Sequence, residues 1–276
     1  MRKILSLTAL AFAIAFSGCS ATGPKIEGGV AVEKMVSAYR IGAYVDVETA
    51  KAKLAENGFE VVSTYKSTDK GTTILYTNAA MKAEANKAMR GFAAVGRMLV
   101  DEERKQVHIA NPIYFNKAFM QNEYNHLAAS AVYTSLEKAF GPLKNSEDVW
   151  DFKGLSDYHF MMGMPYYHEM DVVGEGSTEA LLAKATAAKG TIVKLDENRY
   201  LVFVDLDKRT STFVKKIGTQ NAEILPWAVL IEDGKAKALN AKYFIAVSYP
   251  LLDMGGFMGI MTIPDAVIKS LQKTFK

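Results

Sequence analysis

The feature that most constrains the fold of this chain is an internal repeat that covers most of its 276 residues. Residues 135–140 (SLEKAF) reappear as residues 270–275 (SLQKTF), and residues 109–115 (IANPIYF) are echoed by residues 238–244 (ALNAKYF). The matching segments come in the same order, as expected when one structural unit is used twice. The predicted parts are a first copy at residues 30–142, a linker at residues 143–164 and a second copy at residues 165–276.

Both copies predict the same succession of elements. In the first copy, alternating apolar residues predict a half-buried strand, after which Asp46 begins a helix that Gly58 ends; Ser177 and Gly190 take these roles in the second copy. Two β-rich runs, a second helix, a hairpin and a closing amphipathic helix follow. The predicted fold is therefore α+β, with two copies of a β-α-β-β-α-β-β-α unit, antiparallel sheets with helices packed on one face, and a pseudo-twofold arrangement.

These elements and their motifs resemble a known family. The first helix that ends in Gly, the variable hairpin, the Leu/Val-rich strand with an acidic turn and the segment at residues 111–115 are similar to the domain-of-unknown-function 302 family. The resemblance extends over both copies, although Asn240-Ala241 replaces Asn111-Pro112 in the second. It implies an α+β fold and self-association of units, either as a monomer with pseudo-dimeric repeats or as a homodimer. It implies no established reaction and no catalytic residue.

The N-terminus has the pattern of a targeting segment. Two basic residues precede an apolar stretch at residues 4–16, which is shorter than the roughly 20 residues needed to cross a membrane. Residues 16–19 (FSGC) resemble the lipobox of bacterial lipoproteins, and Cys19 is the single cysteine of the chain. We predict a lipoprotein signal peptide at residues 1–18 and lipidation of Cys19. The alternative is an ordinary signal peptide that is cleaved just after Cys19.

A lipidated N-terminus predicts that the protein is anchored in a bacterial cell envelope. Ser20 follows the lipidated position, where many Gram-negative lipoproteins retained in the inner membrane have Asp, so the outer membrane facing the periplasm is favoured. Residues 19–29, rich in Gly, Ser and Thr, predict a flexible tether. The formal net charge of +3 and the absence of a Lys/Arg run argue against a nucleic-acid partner.

One cluster combines imidazole and thioether side chains. Such ligands suit copper, particularly Cu(I), in an exported protein. The alternative is that methionine and aromatic side chains simply fill the seam between the two copies, because Met adapts to irregular gaps. The candidate metal ligands are His159, Met161, Met162, Met164, His168 and Met170.

Two further segments, at residues 111–115 and 251–259, follow the last predicted strand of each copy and contain Gly, Pro or Asn. They are interpreted either as a mobile rim over a pocket between the copies, with exposed Phe and Met, or as connections that steer the backbone into the closing helix. The candidate rim residues are Asn111, Pro112, Tyr114, Gly255, Gly256 and Phe257.

The sequence contains none of the common catalytic motifs, such as a nucleophile elbow, a zinc-protease helix, a P-loop or a Cys-x-x-Cys pair. The leading hypothesis is therefore a lipid-anchored periplasmic module, without catalytic chemistry or a cofactor, that binds a small molecule or a protein. The alternatives are metal or redox handling through the His/Met cluster, and an envelope enzyme of unknown reaction. An enzyme would need a pocket with at least two titratable groups in convergent geometry.

Overall fold

The computed structural model of the protein describes residues 29–276. Its helices and antiparallel sheets confirm the predicted α+β class. The predicted signal peptide, Cys19 and all of the tether but its last residue lie outside the described residues.

The first half forms a six-stranded antiparallel sheet with the strand order β3-β4-β5-β6-β2-β7. A separate short pair joins β1 to β8. The strands are β1 (Met35–Ser37), β2 (Tyr39–Ala43), β3 (Glu60–Thr68), β4 (Gly71–Thr77), β5 (Gly96–Asp101), β6 (Gln106–Ala110), β7 (Lys144–Asn145) and β8 (Val149–Asp151). The helices are α1 (Val47–Glu56), α2 (Ala79–Ala85), α3 (Pro112–Met120) and α4 (His126–Phe140).

The second half forms a five-stranded antiparallel sheet with the order β10-β11-β12-β13-β9. In both sheets the strand that begins the sheet lies beside the second strand of a hairpin: β2 beside β6 of the β5–β6 hairpin, and β9 beside β13 of the β12–β13 hairpin. The strands are β9 (Asp171–Glu175), β10 (Thr191–Lys194), β11 (Tyr200–Val204), β12 (Trp227–Glu232) and β13 (Lys235–Ala238). The helices are α5 (Thr178–Ala187), α6 (Lys208–Ser211), α7 (Val214–Ile217), α8 (Ala241–Ser248), α9 (Met254–Gly259) and α10 (Ile263–Phe275).

Side-chain caps begin the helices where the sequence places polar residues. Asp46 accepts a hydrogen bond from the backbone N–H of Thr49, and Ser177 accepts one from Ala180, which confirms both predicted helix starts. The predicted order of elements is nevertheless incomplete. Residues 111–115 are not a connection, because Asn111 caps α3, and in the second half Asn240 likewise caps α8.

Each face of the first sheet packs against a different part of the chain. Ile74, Met98 and Ile109 pack with Leu54 of α1 and Leu136 of α4 in one apolar cluster. The opposite face meets the second half through a 3-10 segment at Thr219–Ile224, which contacts β3, β4, β5 and β6. The prediction of helices on one face thus holds for α1 and α4, whereas α3 packs in the core that is shared with the second half.

The contact between the halves is reciprocal. A 3-10 segment of the first half, Gly91–Ala94, contacts β11 and β12 of the second, as Thr219–Ile224 contacts the first sheet. We call Gly91–Ala94 the first bridging turn and Thr219–Ile224 the second bridging turn. Because each half covers a sheet of the other, the buried core is continuous across the halves.

Helices α3 and α8 add a second reciprocal contact. The hydroxyl of Tyr114 donates to the carbonyl of Val247 at 3.0 Å, and the hydroxyl of Tyr243 donates to the carbonyl of Ala118 at 3.3 Å. Each tyrosine lies three residues after its capping asparagine, and each acceptor lies seven residues after it. Such an exchange of the same contact in both directions is typical of a twofold interface.

Candidate functional site

A cleft of about 490 Å³ lies between the two halves. Its volume falls in the usual range for small-molecule sites, roughly 300–1,000 Å³. The first half contributes Ile41, His108 and Asp148 to its wall, and the second half contributes Tyr249 and Leu251. The site therefore exists only where the two halves meet.

His108 reaches the cleft because of strand alternation. Its neighbours along β6, Val107 and Ile109, belong to the apolar cluster under the helices, so His108 points to the opposite face of the sheet. There it lies directly across from Ile41 on β2 and Leu99 on β5. Only 2% of the histidine is exposed.

A carboxylate of the other half fixes the orientation of the imidazole. Nδ1 of His108 lies 2.7 Å from Oε1 of Glu223, which belongs to the second bridging turn. An ionised carboxylate can only accept, so Nδ1 donates to Glu223, and in the neutral imidazole Nε2 is then an acceptor. The ring also stacks on Tyr39, with the centroids 4.4 Å apart. Within residues 29–276, Nε2 has no hydrogen-bond partner and is the ring nitrogen left for a ligand in the cleft.

Glu223 is buried and incompletely satisfied. Only 1% of the residue is exposed, and Oε2 has no hydrogen-bond partner among the described residues. Burial raises the pKa of Glu223, and His108 partly offsets this by favouring the charged carboxylate. A buried carboxylate of this kind is costly for stability, so the pair is not explained by stability alone.

Arg97 holds the second bridging turn in place. Its Nη1 donates to the backbone carbonyls of Glu223, Ile224 and Pro226 at 2.7, 2.9 and 3.0 Å. Burial lowers the pKa of Arg97 to about 10, which leaves the guanidinium charged at neutral pH. Arg97 on β5 thus positions Glu223, and Glu223 positions His108.

A second acidic group, Asp148, lies in the wall of the cleft beside the histidine. It is 7% exposed and accepts a hydrogen bond from Nδ2 of Asn221 at 3.3 Å. Burial raises the pKa of Asp148, although Asn221 and His108 both favour its charged form. Glu147 and Asp253 are exposed members of the same wall. The cleft therefore has an acidic character.

The corresponding position in the other half has a different chemistry. Three residues before the capping asparagines Asn111 and Asn240 lie His108 and Lys237 respectively. The ammonium group of Lys237 forms a salt bridge with the buried carboxylate of Glu232, 3.0 Å away. A salt bridge occupies the place that His108 has in the cleft.

Further contacts close this second junction between the halves. Glu232 also pairs with Arg199 at 3.1 Å and accepts from the backbone N–H of Met89 at 3.1 Å. Tyr167 donates its hydroxyl to the carbonyl of Met89, and the guanidinium of Arg90 lies 5.6 Å from the centre of the Tyr167 ring. The second junction is thus filled by ion pairs and a buried aromatic side chain.

The predicted metal ligands around Tyr167 do not form one closed site. Met162 is 95% exposed and Met161 is 40% exposed, whereas Met164 and Met170 pack against the core. The rings of both His159 and His168 lie against Tyr166, with centroids 4.4 and 5.8 Å away. Core packing thus explains Met164 and Met170, and copper binding stays a prediction.

The predicted rim residues belong to helices. Asn111 caps α3, Pro112 is in its first turn and Tyr114 is fully buried. Gly255 and Gly256 lie in α9 together with Phe257. The expectation of an exposed Phe257 is wrong, because it is 4% exposed and stacks on Phe160 at 5.0 Å. The segment of the second half that borders the cleft is instead Leu251–Asp253, just before α9.

Neither His108 nor the carboxylate that orients it was found from the sequence. His108 is a polar residue at an alternating position within an apolar strand, which is a weak signal of a polar group facing an interface. Glu223 lies between Ala222 and Ile224, and nothing local indicates its partner 115 residues away.

No family model, no curated protein and no solved structure matches this chain. In the part of the chain from residue 29 onward, no helix is both long and apolar enough to span a membrane.

Proposed function

We propose that the protein is a lipid-anchored binding module of the bacterial cell envelope that holds a small molecule in the cleft between its two halves. The observation that carries this proposal is the 490 Å³ cleft, whose wall combines apolar side chains with His108 and Asp148. Pockets of this size with a few convergent polar groups are the usual sites for small ligands. The predicted lipobox at Cys19 supports the envelope location.

The difference between the two junctions supports the assignment. At the second junction the buried carboxylate of Glu232 is fully engaged, since it pairs with Lys237 and Arg199 of its own half and accepts from the backbone N–H of Met89 in the other. At the cleft, however, His108 keeps an unpartnered nitrogen and Asp148 has no cationic partner within 4.0 Å among residues 29–276. Buried polar groups that remain incompletely satisfied mark sites selected for function rather than stability.

The test is native mass spectrometry of the protein purified from a periplasmic expression host. We expect an organic adduct on the wild-type protein. Leu251→Trp narrows the cleft at a residue that is 58% exposed, so it should remove the adduct without unfolding the protein. Met258→Trp is the matched control, since Met258 is 53% exposed and lies outside the cleft wall. An adduct that survives Leu251→Trp contradicts the proposal.

The anchor is tested separately by fractionation. Cys19→Ser removes the only thiol that could carry lipid. We expect this variant to leave the membrane fraction. If it stays with the membranes as the wild type does, the lipidation proposal is wrong and the cleft proposal is unaffected.

One observation favours the second candidate, an envelope enzyme. A histidine whose Nδ1 is held by a carboxylate and whose Nε2 faces a ligand site is the usual arrangement of a general base. This candidate predicts that the adduct changes mass on incubation with wild-type protein and does not change with His108→Gln.

A further inference from the structure

We infer that the cleft takes a small organic cation, an amine with at least one N–H bond and an apolar body. The inference rests on the proposed function, because it names the ligand class of the same cleft. Three independent properties of the wall lead to it: its charge, its buried hydrogen-bond acceptors and its apolar side chains.

The charge of the wall is negative. Glu147, Asp148 and Asp253 contribute carboxyl groups, and no Lys or Arg side chain is part of the wall. None of the three has a salt-bridge partner within 4.0 Å in the described chain, although the protein carries 33 Lys and Arg residues. Field lines concentrate in a cleft with apolar walls, so this arrangement attracts cations and repels anions.

The buried acceptors point to an N–H donor. In the neutral imidazole Nε2 of His108 is an acceptor, because Nδ1 donates to Glu223, and only 2% of His108 is exposed. Asp148 offers a carboxylate that is 7% exposed and has one neutral donor, Asn221. An ammonium group carries up to three N–H donors and a positive charge, so its chemistry matches both a neutral acceptor and a carboxylate. An alcohol offers only one O–H donor and carries no charge.

The apolar part of the wall makes an organic cation a better occupant than a bare inorganic ion. Ile41, Ile217, Leu251 and Leu252 line the cleft together with the ring of Tyr249. A cavity of about 490 Å³ with these walls would leave a single ion surrounded mostly by water. An alkyl or aryl body buries this apolar surface and contributes about 25 cal/mol per Å² of area removed from water.

The test compares three ligands that share one body and differ in charge. 2-Phenylethylammonium, 2-phenylethanol and phenylacetate are titrated into the purified protein at pH 7, and heats or NMR shifts are recorded. We expect the ammonium ligand to bind at least about tenfold more tightly than the alcohol, as one charge-assisted hydrogen bond provides. Phenylacetate should not bind.

Variants locate the binding and its cause. Asp148→Asn keeps the shape and the contact to Asn221 but removes the charge, and it should weaken ammonium binding about tenfold. Glu147→Gln, at an exposed position of the wall, should weaken it less. Glu56→Gln removes an exposed carboxylate on α1, outside the wall, and should change nothing. Circular dichroism establishes that each variant is folded.

The possible outcomes separate the inference from the proposed function. If the alcohol or phenylacetate binds as tightly as the amine and Leu251→Trp abolishes that binding, the cation inference is overturned and the proposed function stands. If the amine binds equally well to Asp148→Asn and Leu251→Trp, its site lies elsewhere and the inference is overturned. Failure of all three ligands to bind also overturns it, whereas the proposed function is decided by the adduct experiment.

Discussion

The site depends on single residues whose roles conflict with stability. Asp148 is buried with no salt-bridge partner among residues 29–276, and its pKa is raised by that burial. Between the pKa of the unfolded chain, about 3.9, and the higher native pKa, the folded protein binds more protons than the unfolded chain. The free energy of unfolding therefore falls as pH rises through this window, and above it the charged carboxylate opposes folding.

This pH dependence of the free energy of unfolding predicts how Asp148→Asn affects stability. The variant should be more stable than the wild type at pH 8, with a melting temperature higher by a few degrees, because the amide keeps the Asn221 contact without the charge. The difference should vanish near pH 4, where the wild-type carboxyl is protonated. Thermal melts between pH 4 and pH 8 measure it, with Glu147→Gln as the exposed control. A variant that is less stable at pH 8 contradicts the assignment.

The two capping asparagines make a second comparison at the residue scale. Both accept from the backbone N–H two residues later, at 3.0 Å, but only Asn111 also donates, through Nδ2, to the buried carbonyl of Ser37 at 2.6 Å. We expect Asn240→Ala to cost about 1 kcal/mol, as a lost cap does. Asn111→Ala should cost about 2–3 kcal/mol, because it also leaves a buried carbonyl unpaired. Urea denaturation measures both; equal costs would contradict the second role of Asn111.

At the scale of elements, local signals in the sequence predicted what local physics determines. Asp46 and Ser177 cap helices as predicted, and the closing helices α4 and α10 lie where the apolar spacing indicates them. Helix α3 was missed because Pro112 was interpreted as part of a connection, although Pro is favoured in the first helical turn after an Asn cap. For the same reason, Tyr114 of α3 was predicted to lie on the rim of a pocket.

The exchange of hydrogen bonds between α3 and α8 predicts a matched pair of effects. Tyr114→Phe and Tyr243→Phe each remove one buried hydroxyl that donates to the partner helix. Each should lower the free energy of unfolding by about 1–1.5 kcal/mol, since a carbonyl loses its partner away from water. Tyr200→Phe removes a solvent-exposed hydrogen bond of a half-buried tyrosine and should change stability by less than about 0.5 kcal/mol. Chemical denaturation gives the three values. If only one of Tyr114→Phe and Tyr243→Phe lowered the free energy of unfolding, the two contacts would not be equivalent.

At the scale of the whole molecule, the site could not be predicted from the sequence. His108 and Glu223 are 115 residues apart and meet only because the second bridging turn packs on the first sheet. The repeat predicted two similar units, but a repeat gives no information on which face of one unit covers the other. The aligned asparagines place His108 opposite Lys237 in the sequence, but only the structure shows that one contacts Glu223 and the other Glu232.

The reciprocal bridging turns imply that the halves unfold together, and a pair of glycine substitutions tests this. A Cβ at Gly91, in the first bridging turn, would lie 2.4 Å from Cδ1 of Leu230 in the second half, whereas a Cβ at Gly259 meets nothing within 4 Å. Gly91→Ala should therefore cost about 1–3 kcal/mol through overpacking at a fully buried leucine. Gly259→Ala, in a helix, should be neutral or stabilising by up to about 1 kcal/mol.

Calorimetry distinguishes joint unfolding from independent units. Because each half covers a sheet of the other, strain at Gly91 destabilises both halves, and Gly91→Ala should lower one single transition whose calorimetric and van't Hoff enthalpies agree. If the halves were independent units that merely touch, the same substitution would loosen the contact and split the transition into two. The cleft is built from both halves, and their buried cores are continuous. We therefore expect one transition. Two transitions would mean that each half folds without the other, and therefore without forming the cleft.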